Sequence, residues 1–192
     1  MLVVLVNGLP GAGKTTLAKP LAHELGLPLF SKDRIKETLA DHIGITPPAG
    51  LTGRQWSRRL GVAAGETLWA LLADSRQGAV LESFWPVSLR PVVVGGLHRA
   101  GVQTAHEVRC TVPPAIARQR YEEREASRHP IHQGILVSDQ HWEQRTLEAE
   151  PLDLHHTYHV DTTWPVDVRC LATEIRRNSN TGASGEGTPA PG

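Results

Sequence analysis

Lys14 and Thr15 close the pattern GxxxxGK[ST], which begins at Gly8 in the run NGLPGAGKTT. Residues of these types at this spacing hold phosphate. Glycines at 8, 11 and 13 let the backbone curl so that consecutive N–H groups point inward at an anion. The first turn of a following helix adds unpaired N–H donors and the positive end of its dipole. Such a corner suits a polyphosphate. Gly8, Pro10, Gly11, Ala12, Gly13 and Thr16 would form the cradle, Lys14 would reach the β and γ phosphates, and the Thr15 hydroxyl would ligate Mg²⁺. The alternative is a glycine-rich turn before an ordinary helix, and a chance match in a chain of this length has a probability on the order of one per cent.

This loop needs a strand before it and a helix after it. Leu2 to Val6 is a short, wholly apolar, β-branched run, which reads as a strand buried on both faces of a parallel sheet. Leu17, Leu21 and Leu25, with Ala18 and Ala22, mark one face of the next helix, which should end at Gly26 as a C-cap. Pro20 removes a backbone hydrogen bond inside that helix and is expected to kink it. Further strands are predicted over Leu27 to Phe30, Ala79 to Glu82, Thr104 to Thr111 and Tyr158 to Asp161. Helices are predicted from Lys32, over Gln55 to Ala73, from Pro114 to about Arg128, over Ser138 to Glu150 and over Pro165 to Arg177. Val87 to Ala100 mixes signals, since Val92, Val93 and Val94 favour strand; it is assigned as helix because a clearer strand follows. Ile45 to Gly53 reads as a loop, as does the His/Pro/Gly stretch through Gly134.

Five strands alternating with helices predict a doubly wound, five-stranded parallel α/β sheet. Residues 1–177 form one domain on this reading, and 178–192 (NSNTGASGEGTPAPG) form a disordered tail. The chain has 192 residues, with 20 basic and 20 acidic, so no excess charge points to a broad nucleic-acid surface, although a local basic groove would not show in the total. Cys110 and Cys170 lie far apart with no C-x-x-C pattern, which fits two packed thiols in a reducing compartment without a disulfide. The opening apolar run is too short for a signal peptide, and no segment approaches the roughly 18 apolar residues of a membrane span. A cytoplasmic protein with no membrane partner is expected; no pattern speaks to oligomeric state.

GLPGAGKTT at the first strand, SKD opening the helix after the second, AVLE at the third and an Arg-rich helix leading into RHPIH together resemble the small P-loop kinases. That group, with its P-loop NTPase or nucleoside-kinase-like fold, includes zeta-toxin-like kinases, chloramphenicol phosphotransferase and the kinase domain of polynucleotide kinases. The likeness covers about residues 1–177. It implies ATP and Mg²⁺ as cofactors and transfer of the γ-phosphoryl group to a hydroxyl.

In open α/β sheets ligands bind beyond the carboxyl ends of the strands. Asp33 stands just past the second strand, where the resemblance implies the carboxylate that accepts the proton of the acceptor hydroxyl; a helix N-cap is the other common use of Asp there. Arg34 either steers an anionic acceptor or faces solvent. Glu82 ends the third strand and could ligate the metal through water, bind acceptor hydroxyls, or be a solvated terminus. Trp56, Phe84 and Trp85 either wall the acceptor pocket or pack in the core. Arg120, Arg124 and Arg128 recur at intervals of four, with Arg118 to one side, and so share a helical face. By resemblance they form a lid over the phosphates, with Arg120 on the cofactor and Arg124 and Arg128 in a catalytic role; a surface paired with Glu122, Glu123 and Glu125 is the alternative. His129 and His132 could bind phosphate or acceptor. Thr162 and Thr163 are candidates for adenine contacts or simply turn formers. His155, His156 and His159 lack the accompanying ligands a zinc site needs.

The expected activity is an ATP-dependent kinase acting on a small-molecule hydroxyl acceptor such as a nucleoside, a sugar or an antibiotic-like alcohol. Alternatives are a polynucleotide 5′-hydroxyl kinase, which would make nucleic acid a partner, and an ATP-binding regulatory switch without a dedicated acceptor. The chain has no clear N/T-K-x-D guanine signature.

Overall fold

The computed structural model describes residues 1–132 and 138–181. Strands β1 (Leu2–Asn7), β2 (Leu29–Ser31), β3 (Gly78–Glu82), β4 (Ala105–Thr111) and β5 (His156–Asp161) form one parallel sheet in the order β2-β3-β1-β4-β5. The helices are α1 (Lys14–Leu25), α2 (Lys32–Ile43), α3 (Gly53–Asp74), α4 (Arg90–Arg99), α5 (Pro114–Glu123), α6 (Asp139–Glu148) and α7 (Val168–Thr181). The predicted class is the observed one.

β1 lies at the centre of the sheet, so its side chains supply both cores. Val4 and Val6 pack with α1 and α7 through Leu17, Leu21, Ala172 and Ile175. Val3 and Leu5 pack on the other face with α3 and α4 through Leu68, Leu72, Val93 and Leu97. All four β1 residues have 0% exposure, which is why the run carries no polar alternation. Gly96 explains how α4 can lie so close to α3: a Cβ there would enter the Trp69 indole. A smaller cluster of Ala40, Leu60 and Ile131 holds the α2–α3 pair against the segment after α5.

Several boundaries differ from the sequence expectation for identifiable reasons. Gly26 caps α1 in the left-handed region as expected, and α1 continues through Pro20. The Leu27 amide then donates back to the Ala22 carbonyl, so β2 begins at Leu29. α5 stops at Glu123, not near Arg128, because side chains take the last carbonyls: Arg124 Nε donates to Arg120 O at 3.1 Å and Ser127 Oγ to Arg124 O at 3.0 Å. A short 3₁₀ turn, Glu125–Ser127, follows, and Arg128 is extended, so Arg128 does not continue the helical stripe of Arg120 and Arg124.

The tail expectation also needs correction at its start. α7 runs to Thr181, and Asn178 and Ser179 anchor it, since Asn178 Nδ2 donates to the Tyr158 hydroxyl at 3.0 Å and Ser179 Oγ lies 3.0 Å from His106 Nε2. The rest of the expected tail, 182–192, lies outside the described residues, as does Gly134. Both cysteines are free, but only Cys110 is packed; Cys170 is exposed on α7. Among the described residues no helix is long and apolar enough to cross a membrane.

Candidate active site

The carboxyl ends of β1, β2 and β3 open into a cleft of about 1090 Å³, lined among others by Lys14, Thr15, Asp33, Lys36, Glu82, Arg124 and Arg128. Its floor is the loop between β1 and α1. Gly11 has φ +91°, and a Cβ on it would run into the Ala117 carbonyl at the start of α5, so glycine is required twice over. Thr162 braces the loop from the turn after β5, its hydroxyl lying 2.7 Å from Ala12 O and 3.0 Å from Thr111 O. Arg120 supports that same turn, reaching the carbonyls of Thr162 at 3.3 Å and Thr163 at 3.5 Å. Pro10, Gly13 and Thr16 line the cleft. Gly8 and Ala12 sit behind them as buried backbone.

Asn7, the last residue of β1, fixes where the loop begins. Its Oδ1 accepts from the amides of Gly8 at 2.8 Å and Trp85 at 3.0 Å, and its Nδ2 donates to Glu107 Oε1 at 2.9 Å and Trp85 O at 3.1 Å. Glu107, with 0% exposure, takes the Leu152 amide on its other oxygen at 2.8 Å. Burial raises the Glu107 pKa, and these hydrogen bonds oppose the rise. The polar residue closing β1 and the carboxylate inside β4 were visible in the sequence, yet the sequence reading used neither.

Lys14 Nζ donates to Gly8 O and Leu9 O, both at 2.9 Å, which holds the ammonium across the mouth of the loop. Burial lowers its pKa, while the carboxylates of Glu82 and Asp33 raise it. The Thr15 hydroxyl donates to Glu82 Oε1 at 3.1 Å, and Ser31 Oγ donates to Glu82 Oε2 at 2.5 Å. Glu82 is only 4% exposed, so the strand terminus is enclosed and not a solvated end. Hard oxygen donors converging beside a lysine ammonium suit a small divalent cation that keeps waters and phosphate oxygens as its remaining ligands. Thr15 and Glu82 therefore fit the metal role expected of them. No group of three His, Cys, Asp or Glu side chains able to hold a metal occurs among the described residues.

Ser31 occupies the N-cap position of α2, and Asp33 is the second residue of the helix, exposed to the cleft. Capping is thus not its task. Lys36, one turn on, is buried, and its ammonium donates to Ser57 Oγ at 2.8 Å and lies 3.4 Å from His132 Nδ1. Burial lowers the Lys36 pKa and pushes His132 down to about 4. Lys36 and Ser57 were missed because both fall in polar helical stretches that look like solvent faces.

On the opposite wall Tyr121 carries the Arg128 guanidinium 4.6 Å above its ring, with Arg145 at 5.6 Å. Arg128 also donates to the Tyr121 hydroxyl at 2.6 Å and to Glu125 at 3.3 Å. Arg118 pairs with Glu122 and Asp139 outside the cleft. His129 lies 3.0 Å from Asp41, joining the segment after α5 to α2. Of the three aromatics considered for the pocket, only Phe84 lines it; Trp85 is 5% exposed in the core and Trp56 donates to Gly44 O at 2.9 Å. Arg34 lines the cleft. His155 accepts from the Ala105 amide and His156 stacks on His106 at 4.8 Å, both away from the cleft, whereas exposed His159 on β5 pairs in register with Arg109.

Comparison with known proteins agrees with this fold. The chain is 31% identical to a presumed kinase from Chloroflexus aurantiacus j-10-fl, with a TM-score of 0.78 over 92% of this chain and 97% of that one. A gluconokinase from Sinorhizobium meliloti 1021 shares the fold alone, at 19% identity and a TM-score of 0.56 over 96% of this chain and 98% of that one. A cytidylate kinase of Ignicoccus hospitalis is 48% identical over 46 residues, which is 24% of this chain and 27% of that protein. This chain thus spans about a quarter of the length of the curated relatives it matches. The sequence model described as an AAA domain matches residues 3–152, and on that match the chain belongs to the AAA domain family, on the P-loop kinase fold.

Proposed function

We propose that this protein is an ATP-dependent phosphotransferase that moves the γ-phosphoryl group to a hydroxyl of a small molecule. The carrying observation is that Lys14, the Thr15–Glu82 pair and Asp33 line one cleft at the carboxyl ends of β1, β2 and β3. The loop amides and Lys14 hold the phosphates. Thr15 with Glu82 would hold Mg²⁺, which would supply charge neutralisation at the phosphates. Asp33 accepts the proton of the attacking hydroxyl, and its exposure on the cleft side of α2 leaves it free to do so. Arg124 and Arg128 line the opposite wall and neutralise charge developing on the transferred group, which gives the segment after α5 the role of a lid.

Positioning and electrostatics carry this reaction, because phosphoryl transfer asks for little covalent chemistry from the protein. Small-molecule kinases among the proteins of similar fold support the acceptor class. The free thiols support a cytoplasmic setting. The test is to follow label from [γ-³²P]ATP and Mg²⁺ into a panel of nucleosides, sugars, hydroxylated antibiotics and 5′-hydroxyl oligonucleotides. Label in a small molecule is expected. Label confined to oligonucleotides would transfer the assignment to polynucleotide ends, and free phosphate alone would favour a nucleotide-driven switch.

A further inference from the structure

Lys36 is a charged side chain with 8% exposure that nevertheless lines the cleft. An ammonium taken out of water is costly unless a counter-charge meets it. Its hydrogen-bond partners are both neutral, and the carboxylates of Asp33 and Glu37 act on it through space without outweighing its burial. Ser57 Oγ can accept from it because the Ser57 proton goes elsewhere, to Ile131 O at 3.1 Å. His132 Nδ1 can accept only in the neutral tautomer that carries its proton on Nε2, and burial holds the imidazole in its neutral form. Two of the three ammonium protons are thereby used. Among the described residues, no ion pair includes Lys36 and no protein acceptor takes its third proton.

The position of Lys36 relative to Asp33 gives this unused proton a direction. The two residues are one turn apart on α2, which places their Cβ atoms about 5–6 Å from each other on one face. Arg34 lines the same cleft and adds positive charge to this wall.

We propose that Lys36 anchors a negatively charged group, a carboxylate or a phosphate, on the phosphoryl acceptor. The inference rests on the proposed function and narrows the acceptor from any small alcohol to an anionic one. A hydroxyl presented to Asp33 then has its anionic neighbour within reach of Lys36, while the nucleotide phosphates occupy Lys14 and the loop. The charge-assisted hydrogen bond completes the ammonium's third site and orients the acceptor.

Matched pairs of acceptors test this: gluconate against glucose, glycerate against glycerol, and glucose 6-phosphate against glucose, each with [γ-³²P]ATP and Mg²⁺. The anionic member of a pair should be phosphorylated at least about 10-fold more efficiently, and the pair that shows it distinguishes carboxylate from phosphate. Lys36→Met should raise KM for that acceptor about 10- to 150-fold while KM for ATP is unchanged. Equal use of the neutral member by the unaltered protein would overturn the inference while leaving the proposed function standing, and needs no variant to fold. A uniform loss with both members in Lys36→Met would reduce Lys36 to a structural strut. Should no alcohol be labelled, the proposed function falls, and titration of inorganic phosphate into protein saturated with Mg²⁺ and a non-hydrolysable ATP analogue decides the anion site alone. Saturable binding lost in Lys36→Met upholds it, and no binding overturns it.

Discussion

Thr15 and Glu82 are separated by 67 positions in the chain and by 3.1 Å in space, hydroxyl to carboxylate. The contact follows from the parallel pairing of β1 with β3, which sets Val6 opposite Glu82 and so brings the end of β3 beside the loop that Thr15 closes. Ser31 on β2, paired opposite the same Glu82, takes its second oxygen. One side chain from the first turn of α1 and one from the end of β2 thus hold this carboxylate in a fixed direction.

Glu82→Gln keeps the shape of that arrangement and removes its charge. If Glu82 supports the metal, the Mg²⁺ concentration for half-maximal transfer should rise and kcat fall about 10- to 100-fold, as for other residues that orient metal ligands. A Mg²⁺ titration at saturating ATP measures both. An unchanged Mg²⁺ requirement would leave the metal to Thr15 alone.

Lys14→Met removes the ammonium from the loop mouth. Losing a charged hydrogen bond costs about 1.5–3 kcal/mol, and two phosphate contacts are at stake, so turnover should drop by more than about 100-fold. The loop carbonyls of Gly8 and Leu9 also lose their donor. Steady-state rates with ATP check this, and full activity would contradict the nucleotide-site assignment as a whole.

Asp33→Asn separates binding from chemistry. Asp33 is exposed and its side chain is not needed to cap α2, so the fold should tolerate the change. Transfer is expected to fall by about 10²- to 10⁴-fold with nucleotide affinity intact. Wild-type transfer in this variant would remove Asp33 from the role of base.

Much of this arrangement was legible from residue types because the loop, the caps and the strand core are local chemistry. Gly8 through Thr15 specify their own turn, Gly26 ends α1 as its type requires, and the apolar run of β1 announces burial on both faces. What escaped depends on how distant segments meet. Lys36 sits in KDRIKE, a charged run that suggests water, and only the packing of α3 and the His132 segment over it creates a buried ammonium. The helical stripe of arginines failed at Arg128 for a similar reason. Side chains of Arg124 and Ser127 ended α5 early, and Arg128 turned onto the Tyr121 ring. For Trp85, beside a strand end, residue type left pocket wall and core both open, and it is Asn7, tying its backbone down, that puts it in the core.

Gly11→Ala should be destabilising by about 1–3 kcal/mol, because the residue is held in the left-handed region and its Cβ would collide with backbone. Urea denaturation gives the value. The same substitution should weaken nucleotide binding, since relief of the clash requires the loop to move away from α5.

Acid should loosen the packing around α7 before it reaches most of the molecule. His106 has its Nδ1 3.1 Å from the Tyr158 hydroxyl and its Nε2 3.0 Å from Ser179 Oγ, and its pKa is pushed down to about 4, chiefly by burial. The unfolded chain takes up that proton near pH 6.5, so the contribution of His106 is complete above that pH and is lost as pH falls towards 4. Its full size is about 3 kcal/mol by linkage. His132 titrates in the same direction, so stability measured from pH 7 to pH 4.5 should flatten partly in His106→Gln and further when His132→Gln is added.

The central place of β1 also sets a timetable for synthesis. Its neighbours are β3 and β4, with Leu2 opposite Gly78 and Val3 opposite Ala105, and β2 does not pair with it. β1, made before the other four strands, therefore has no partner until β3 has emerged and is enclosed only by β4. Through that interval the five residues Leu2 to Val6 are an unsheltered apolar run, prone to stick to other nascent chains. Assembly must wait on distant pairings and will be slow compared with a fold built from neighbours. The phosphate loop, encoded ahead of four of the five strands, is among the last parts of this sheet able to take shape.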